Sequence, residues 1–234
     1  MSATESQRLD RYGRRGIAVS FAGLLLGVGA LFVPAGTFAW ANAWLFLGLT
    51  TAYTVVNTIV LARKSPRLLN ERGKFVKEGT RVFDKVYVAL YLPMGLATLI
   101  VSGLDRRFGW SHVPAWATVA GVVLLLPAFF VGMWAMTANP CFECTMRIQD
   151  DRGQQVITSG PYRLVRHPGY SALVLSTLTY PLILGSWWAF LPAGALAAVV
   201  VVRTALEDRM LRDEMPGYSE YVAKTRFRLI PLVW

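Results

Sequence analysis

Apolar residues in this chain gather into long runs, at Gly16–Pro34, Ala41–Ala62, Phe83–Leu104, Pro114–Ala138, Tyr170–Leu184 and Trp187–Val202. Several approach the roughly 20 residues that a helix needs to cross a bilayer. Inside hydrocarbon each backbone polar group must find its partner within its own segment, which makes helices the default spanning form. The short alternating segments of about ten residues that mark a membrane β-barrel are not visible. The pattern therefore predicts an all-α, polytopic membrane protein with about six transmembrane helices. The last two are short and joined only by Gly185-Ser186, a tight hairpin with Trp187 and Trp188 as interfacial anchors. Pro93, inside the third run, marks a kink.

Composition supports this picture. Of 234 residues, 54% are hydrophobic and only 16% charged, against about 25% charged in an ordinary soluble domain. The net charge of +10 would suggest nucleic acid in a soluble protein, but its placement argues otherwise. With the N-terminus in the cytoplasm, every Lys and Arg except Arg106 and Arg107 falls in the cytoplasmic segments 1–15, 63–85, 139–169 and 203–234. That is the positive-inside pattern, and it sets both termini in the cytoplasm. The basic excess is then accounted for by orientation and by contact with anionic lipid heads, with no nucleic-acid partner. The short cytoplasmic loops suggest a bacterial or archaeal cell membrane. Arg14-Arg15 ahead of an apolar run and Ala39-Trp40-Ala41 have the outline of a signal peptide. The run is long for that, and a second span follows at once, so retention is expected. Cys141 and Cys144 form a Cys-x-x-Cys without a second pair, which predicts no metal site.

The chain divides into a four-span front, 1–138, and a more polar back, 139–234. The front carries a basic loop, 63–82, that reads as a segment lying on the head groups. In the back, a turn-rich stretch from Asn139-Pro140 to Gly160-Pro161 leads directly into the fifth span. Three clusters there are candidates for chemistry. Gly160-Pro161-Tyr162 and Arg166-His167-Pro168-Gly169-Tyr170 bring an Arg-His pair to the membrane face. Pro168 opens a helix whose free N–H groups suit an anionic group. The plainer reading is that Arg166 snorkels and His167 caps. Arg203 and Glu207 lie four apart on one helical face, as a weak ion pair or as the lining of a groove. Tyr218, Tyr221, Arg226, Arg228 and Leu229-Ile230-Pro231-Leu232-Val233-Trp234 form an interface-seeking tail.

In this order the clusters resemble the isoprenylcysteine carboxyl methyltransferase family of integral membrane enzymes. The matching string runs Gly160-Pro161-Tyr162, Arg166-His167-Pro168-x-Tyr170, a hairpin, Arg203-x-x-x-Glu207-Asp208, Gly217-Tyr218-x-x-Tyr221 and Ile230-Pro231. Two departures stand out: Asp208 where the family usually has a second Glu, and Met215-Pro216-Gly217, one residue longer than usual. The resemblance implies a cytoplasm-facing site for S-adenosyl-L-methionine built by the back half. It places Tyr162, His167, Pro168, Gly169, Tyr170 and Glu207 on the donor, Gln154, Gln155, Val156 and Ile157 at its adenosine end, and Gln149 as a further contact. Arg203 would face the group to be methylated, with Arg203 and Glu207 as the catalytic pair.

The residue types fit that chemistry. Methyl transfer from a sulfonium is an in-line displacement in which positioning supplies much of the catalysis. The faces of Tyr162 and Tyr170 can hold the cation, Glu207 can pair with the donor's ammonium, and Arg203 can grip a carboxylate. A carboxylate acceptor needs no base, whereas a thiol or ammonium does; that favours a carboxylate on a lipophilic small-molecule or lipidated acceptor. A thiol or phospholipid amine remains open, as do an NADPH-dependent enzyme of the sterol-reductase kind and a transporter. The oligomeric state is not legible.

Overall fold

The computed structural model describes residues 8–74, 82–143 and 153–234. Among these residues the structure is helical and has no strand. The helices are α1 (Arg11–Ala35), α2 (Ala41–Lys64), α3 (Pro66–Arg72), α4 (Val82–Phe108), α5 (Ala115–Ala138), α6 (Pro168–Leu184), α7 (Phe190–Glu214) and α8 (Tyr218–Lys224). A 3₁₀ turn, Gly160–Arg163, precedes α6. Local chemistry sets the ends. The Asp10 carboxylate accepts from the Tyr12 and Gly13 N–H groups to start α1. Gly36 and Gly185 close α1 and α6 in the left-handed conformation, φ 66° and 76°.

Five helices, α1, α2, α4, α5 and α7, are long and apolar enough to cross a membrane. This is a multi-pass arrangement with one fewer full-length span than the sequence suggests. The fifth expected span exists as α6, but its 17 residues reach only about 25 Å at the α-helical rise, short of the roughly 30 Å hydrocarbon thickness. The sixth continues beyond its apolar part, as the sequence suggests: α7 runs on through Arg203 and Glu207 to Glu214 and stops before Pro216-Gly217. Exposed Leu25, Val33, Val123, Leu126 and Leu191 give the bundle an apolar outer surface.

The helices run alternately between a basic end, where α1 and α6 begin, and a far end. They are tightly packed at the far end. A core of Leu31, Phe32, Ala43, Phe46, Leu125, Ile183 and Leu184 sits there. Gly121 lets α5 meet α6: a Cβ on it would stand 2.8 Å from an Ile183 side-chain carbon. Asp105 ties the loop after α4 to the α6–α7 turn by accepting from Ser111 and Ser186. At the basic end, α3 packs on the start of α1, where Asn70 bonds to the backbone of Arg8 and Asp10. A cavity stands between the spans at this end.

Candidate active site

The connector from residue 153 folds back under the bundle. Gly160 takes φ +60°, and a Cβ there would lie 3.0 Å from the Trp134 indole nitrogen, so a glycine lets the turn seat against α5. Tyr162 is thereby buried. Its hydroxyl donates to the Ala135 carbonyl and accepts from Asn139, and its own carbonyl accepts from the Tyr221 hydroxyl at 2.6 Å.

Arg166 is buried rather than snorkelling. Its guanidinium grips Asp208 through two nitrogens, at 2.7 and 3.0 Å, and donates to the carbonyls of Thr225 and Arg226. The backbone N–H groups of Arg166 and His167 donate to Phe227 and Arg228, and the Ser171 hydroxyl donates to the Leu229 carbonyl. These bonds lash the C-terminal segment to the start of α6. His167 occupies the N-cap position but its side chain does not cap; Nε2 lies 3.3 Å from Asp208 and 3.4 Å from the Tyr218 hydroxyl. Arg228 and Arg212 also reach Asp208.

Arg203 and Glu207 do not pair with each other. The Arg203 guanidinium lies on the Tyr87 ring, 3.8 Å from its centroid, and 2.6 Å from a carboxylate oxygen of Asp84 in α4. Glu207 accepts from the Tyr170 hydroxyl at 2.5 Å. Burial holds the Tyr162 and Tyr218 phenols well above their ordinary range, with Asp208 adding to the effect at Tyr218, and lifts Tyr221 to about 12. All three are hydrogen-bond donors at neutral pH.

One cavity of about 780 Å³ gathers these groups. Gln154, Gln155, Val156, Ile157, Tyr162, His167, Pro168, Gly169, Tyr170, Arg203 and Glu207 all line it. Gln149 lies outside the described residues, as does Cys144. Gly169 has no room for a side chain, since a Cβ would meet the Phe142 ring at 2.4 Å. The rest of the wall comes from the front of the chain, which the sequence reading left empty of chemistry. Tyr53 of α2, Tyr87 and Tyr91 of α4 and Phe129 of α5 line the cavity, as does Tyr180 deeper in α6. Asp84 was legible in principle, as a lone carboxylate at the mouth of an apolar run; such a group is by default a candidate for function. The boundary at residue 138 thus passes through the cavity instead of beside it. Val19 of α1 and Val88, Tyr91 and Leu92 of α4 both line the cavity and are exposed, so the wall there opens onto the apolar outer surface.

A family model described as phospholipid methyltransferase matches residues 116–214, from the first turn of α5 to the end of α7. This segment, 99 of the 234 residues, is similar to the phospholipid methyltransferase family. That family is a group of integral membrane methyltransferases that act on lipid-like substrates, and the isoprenylcysteine carboxyl methyltransferases fall within it. The phospholipid methyltransferase segment carries Tyr162 through Tyr170, Arg203 and Glu207; Asp84 and the tail lie outside it. Over 107 residues the chain is 34% identical to the cobalt-zinc-cadmium resistance protein CzcN of Cupriavidus metallidurans, covering 44% of this chain and 47% of that protein. Over 173 residues it is 27% identical to the uncharacterized protein YpbQ of Bacillus subtilis, covering 73% of this chain and 96% of that protein. The chain thus spans about half the length of the first relative. Among the described residues no group of three or more His, Cys, Asp or Glu is placed to hold a metal ion.

Proposed function

We propose that the protein transfers a methyl group from S-adenosyl-L-methionine to a lipophilic acceptor at the basic, cytoplasmic face of the membrane, with both termini on that side. The observation that carries this reading is the convergence, in one cavity open to the apolar surface, of aromatic faces, an acid and an arginine from chain positions as far apart as Tyr87 and Glu207. The cavity suits the donor: Tyr162 and Tyr170 offer π faces to a sulfonium, Glu207 an acid for an ammonium, and Gln154 through Ile157 a polar-to-apolar edge for an adenosine. Pro168 and Gly169, with His167, hold Tyr170 in place at the head of α6.

When bound, the donor supplies an electrophilic methyl carbon; its bond to sulfur breaks with the electron pair left on sulfur, and an acceptor lone pair forms the new bond. The protein's part is to orient, to exclude water and to match charge. Arg203 turns toward the acceptor and Glu207 toward the donor. A guanidinium carries five N–H donors in a fixed fork, so Arg203 can hold Asp84 and an acceptor carboxylate together. The described acids and bases nearest Arg203 are engaged: Asp84 with Arg203, Glu207 with Tyr170, His167 with Asp208 and Tyr218. An acceptor that is already ionised fits such a site better than a thiol or an ammonium, which must lose a proton. The favoured acceptor is therefore a carboxylate, isoprenylcysteine-like, giving a methyl ester.

Titration of the purified protein with S-adenosylhomocysteine and, separately, NADPH tests the class of enzyme. Saturable binding of the first and none of the second is expected; the reverse overturns the proposal in favour of a reductase. The carboxylate assignment falls if Arg203→Ala binds and turns over its acceptor as the wild type does.

A further inference from the structure

The cavity continues from the donor-side residues into the membrane half of the bundle along one face of α6. Gly169, Ala172, Leu173, Ser176 and Tyr180 line it in succession, a helical stripe of threes and fours. Tyr180 lies ten residues beyond Tyr170, about 15 Å deeper at the helical rise. Tyr53 and Tyr91 also line the cavity, the Tyr53 hydroxyl standing beside Gly132 and level with Ala172. The cavity wall between Ala172 and Tyr180 thus carries three phenols and a serine where a plain hydrocarbon chain would call for leucines.

The state of these hydroxyls is unusual for this protein. Elsewhere in the spans, Thr50, Thr54, Thr98, Ser102 and Thr204 each bond back to the carbonyl four residues earlier, the usual way to satisfy a hydroxyl in an apolar helix. The hydroxyls of Tyr53, Ser176 and Tyr180 make no hydrogen bond to another described residue. Nor are they among the polar atoms sealed in without a partner; they reach the cavity space. Tyr53 stacks on Phe129 and Tyr180 sets its ring against Phe46, so each ring is fixed by packing at the cavity wall.

We propose that the acceptor is a lipid carrying a hydrogen-bonding oxygen partway along its chain, met by the Tyr53 and Tyr180 hydroxyls that line the membrane half of the cavity, and that these two tyrosines select it over an all-carbon chain. The inference rests on the methyltransferase reading above and adds a specificity site to it. A pocket with fixed polar groups rejects an analogue that leaves them unpaired far more strongly than an apolar pocket rejects an extra methylene. Access from the bilayer past Val88 and Leu92 would present chains of both kinds, and the tyrosines would then choose between them.

The test uses the full-length protein in lipid nanodiscs and two radiolabelled carboxylates, octadecanoate and its 12-hydroxy derivative, whose hydroxyl stands partway along the chain at a comparable depth. Equilibrium binding of each is measured beside a titration with S-adenosylhomocysteine. The hydroxylated chain is expected to bind at least about tenfold more tightly, and the gap to close in the Tyr53→Phe/Tyr180→Phe double variant, which keeps both rings. Equal binding of the two chains, binding of neither, or a gap that survives the double change overturns the inference. If the double variant does not fold, each single Phe variant is expected to narrow the gap, and an unaltered gap in both counts against it. S-Adenosylhomocysteine bound without discrimination between the chains sinks this inference alone; no S-adenosylhomocysteine binding by the wild type sinks the methyltransferase reading beneath it.

Discussion

Glu207 and Asp208 are neighbours in the chain and opposites in surroundings. Asp208 is fully buried and takes Arg166, Arg228, Arg212, Tyr218 and the His167 ring onto its two oxygens. It knots α7, the start of α6 and the C-terminal segment into one unit. Glu207, about 100° further round the same helix, reaches into the cavity and is met there by one phenol. One carboxylate is used up by structure and the other faces the cavity, where the proposed function places the donor. The same division separates Arg166, locked on Asp208, from Arg203, whose guanidinium lies between Tyr87 and Tyr170 at the cavity wall. Sequence position does not distinguish the members of either pair; burial separates the two carboxylates, and the groups they meet separate the two arginines, Asp208 for Arg166 and Asp84 with Tyr87 for Arg203.

Substitutions can break this contrast, and the largest effect belongs to the knot. Asp208→Ala leaves Arg166 buried without its acid, a loss of about 3–5 kcal/mol for a broken buried pair. A lower thermal unfolding midpoint in detergent and faster tryptic release of the tail are expected. Unchanged stability would mean that Asp208 is not the node.

Glu207→Gln should leave the unfolding midpoint within a degree or two of wild type while weakening S-adenosylhomocysteine binding about 10- to 100-fold, the range for losing a charge-assisted hydrogen bond of about 1.5–3 kcal/mol. Calorimetry reads both quantities. A destabilised protein with intact affinity would exchange the roles assigned to the two carboxylates.

Asp84→Asn sharpens the second pair. It removes the charge that holds Arg203 in place, so acceptor KM should rise severalfold while donor affinity holds. An equal loss for donor and acceptor would put Asp84 on the nucleotide side. The smallest effect is expected for Tyr162→Phe, which keeps the aromatic face and loses hydrogen bonds of 3.3–3.4 Å; donor affinity should fall less than about threefold, in line with a weak neutral hydrogen bond. A larger drop would assign the hydroxyl itself to the ligand.

Much of the fold was readable because bilayer physics leaves so few solutions: long apolar runs become helices, and the helix that starts at Pro168 begins where a proline at the first position predicts. α6 was read as a short span, and at 17 residues it falls outside the five helices long and apolar enough to cross. The cavity-lining residues from Tyr162 to Tyr170 were legible as a motif. What the motif could not convey was which acid did which work. Asp208 reads as a departure from the family pattern and is the structural node; Asp84 reads as a flanking charge and sits on Arg203. Both facts depend on contacts between residues far apart in sequence, 42 positions for Arg166 and Asp208, and such pairings leave no local signature. The tyrosines of α2 and α4 were equally silent, because an aromatic in a spanning helix is unremarkable until the space beside it is known.

Methyl labelling tests the central claim most directly. Membranes containing the full chain, or its Glu207→Gln variant, are supplied with S-adenosyl-L-methionine carrying a labelled methyl group, and the organic-extractable lipid is counted. The account expects label in that fraction for the wild type, released as methanol by mild base because the product is an ester, and at background for Glu207→Gln. Label that is absent from the wild-type lipid, or that enters it equally with the variant, would contradict a methyl-transfer site built around Glu207.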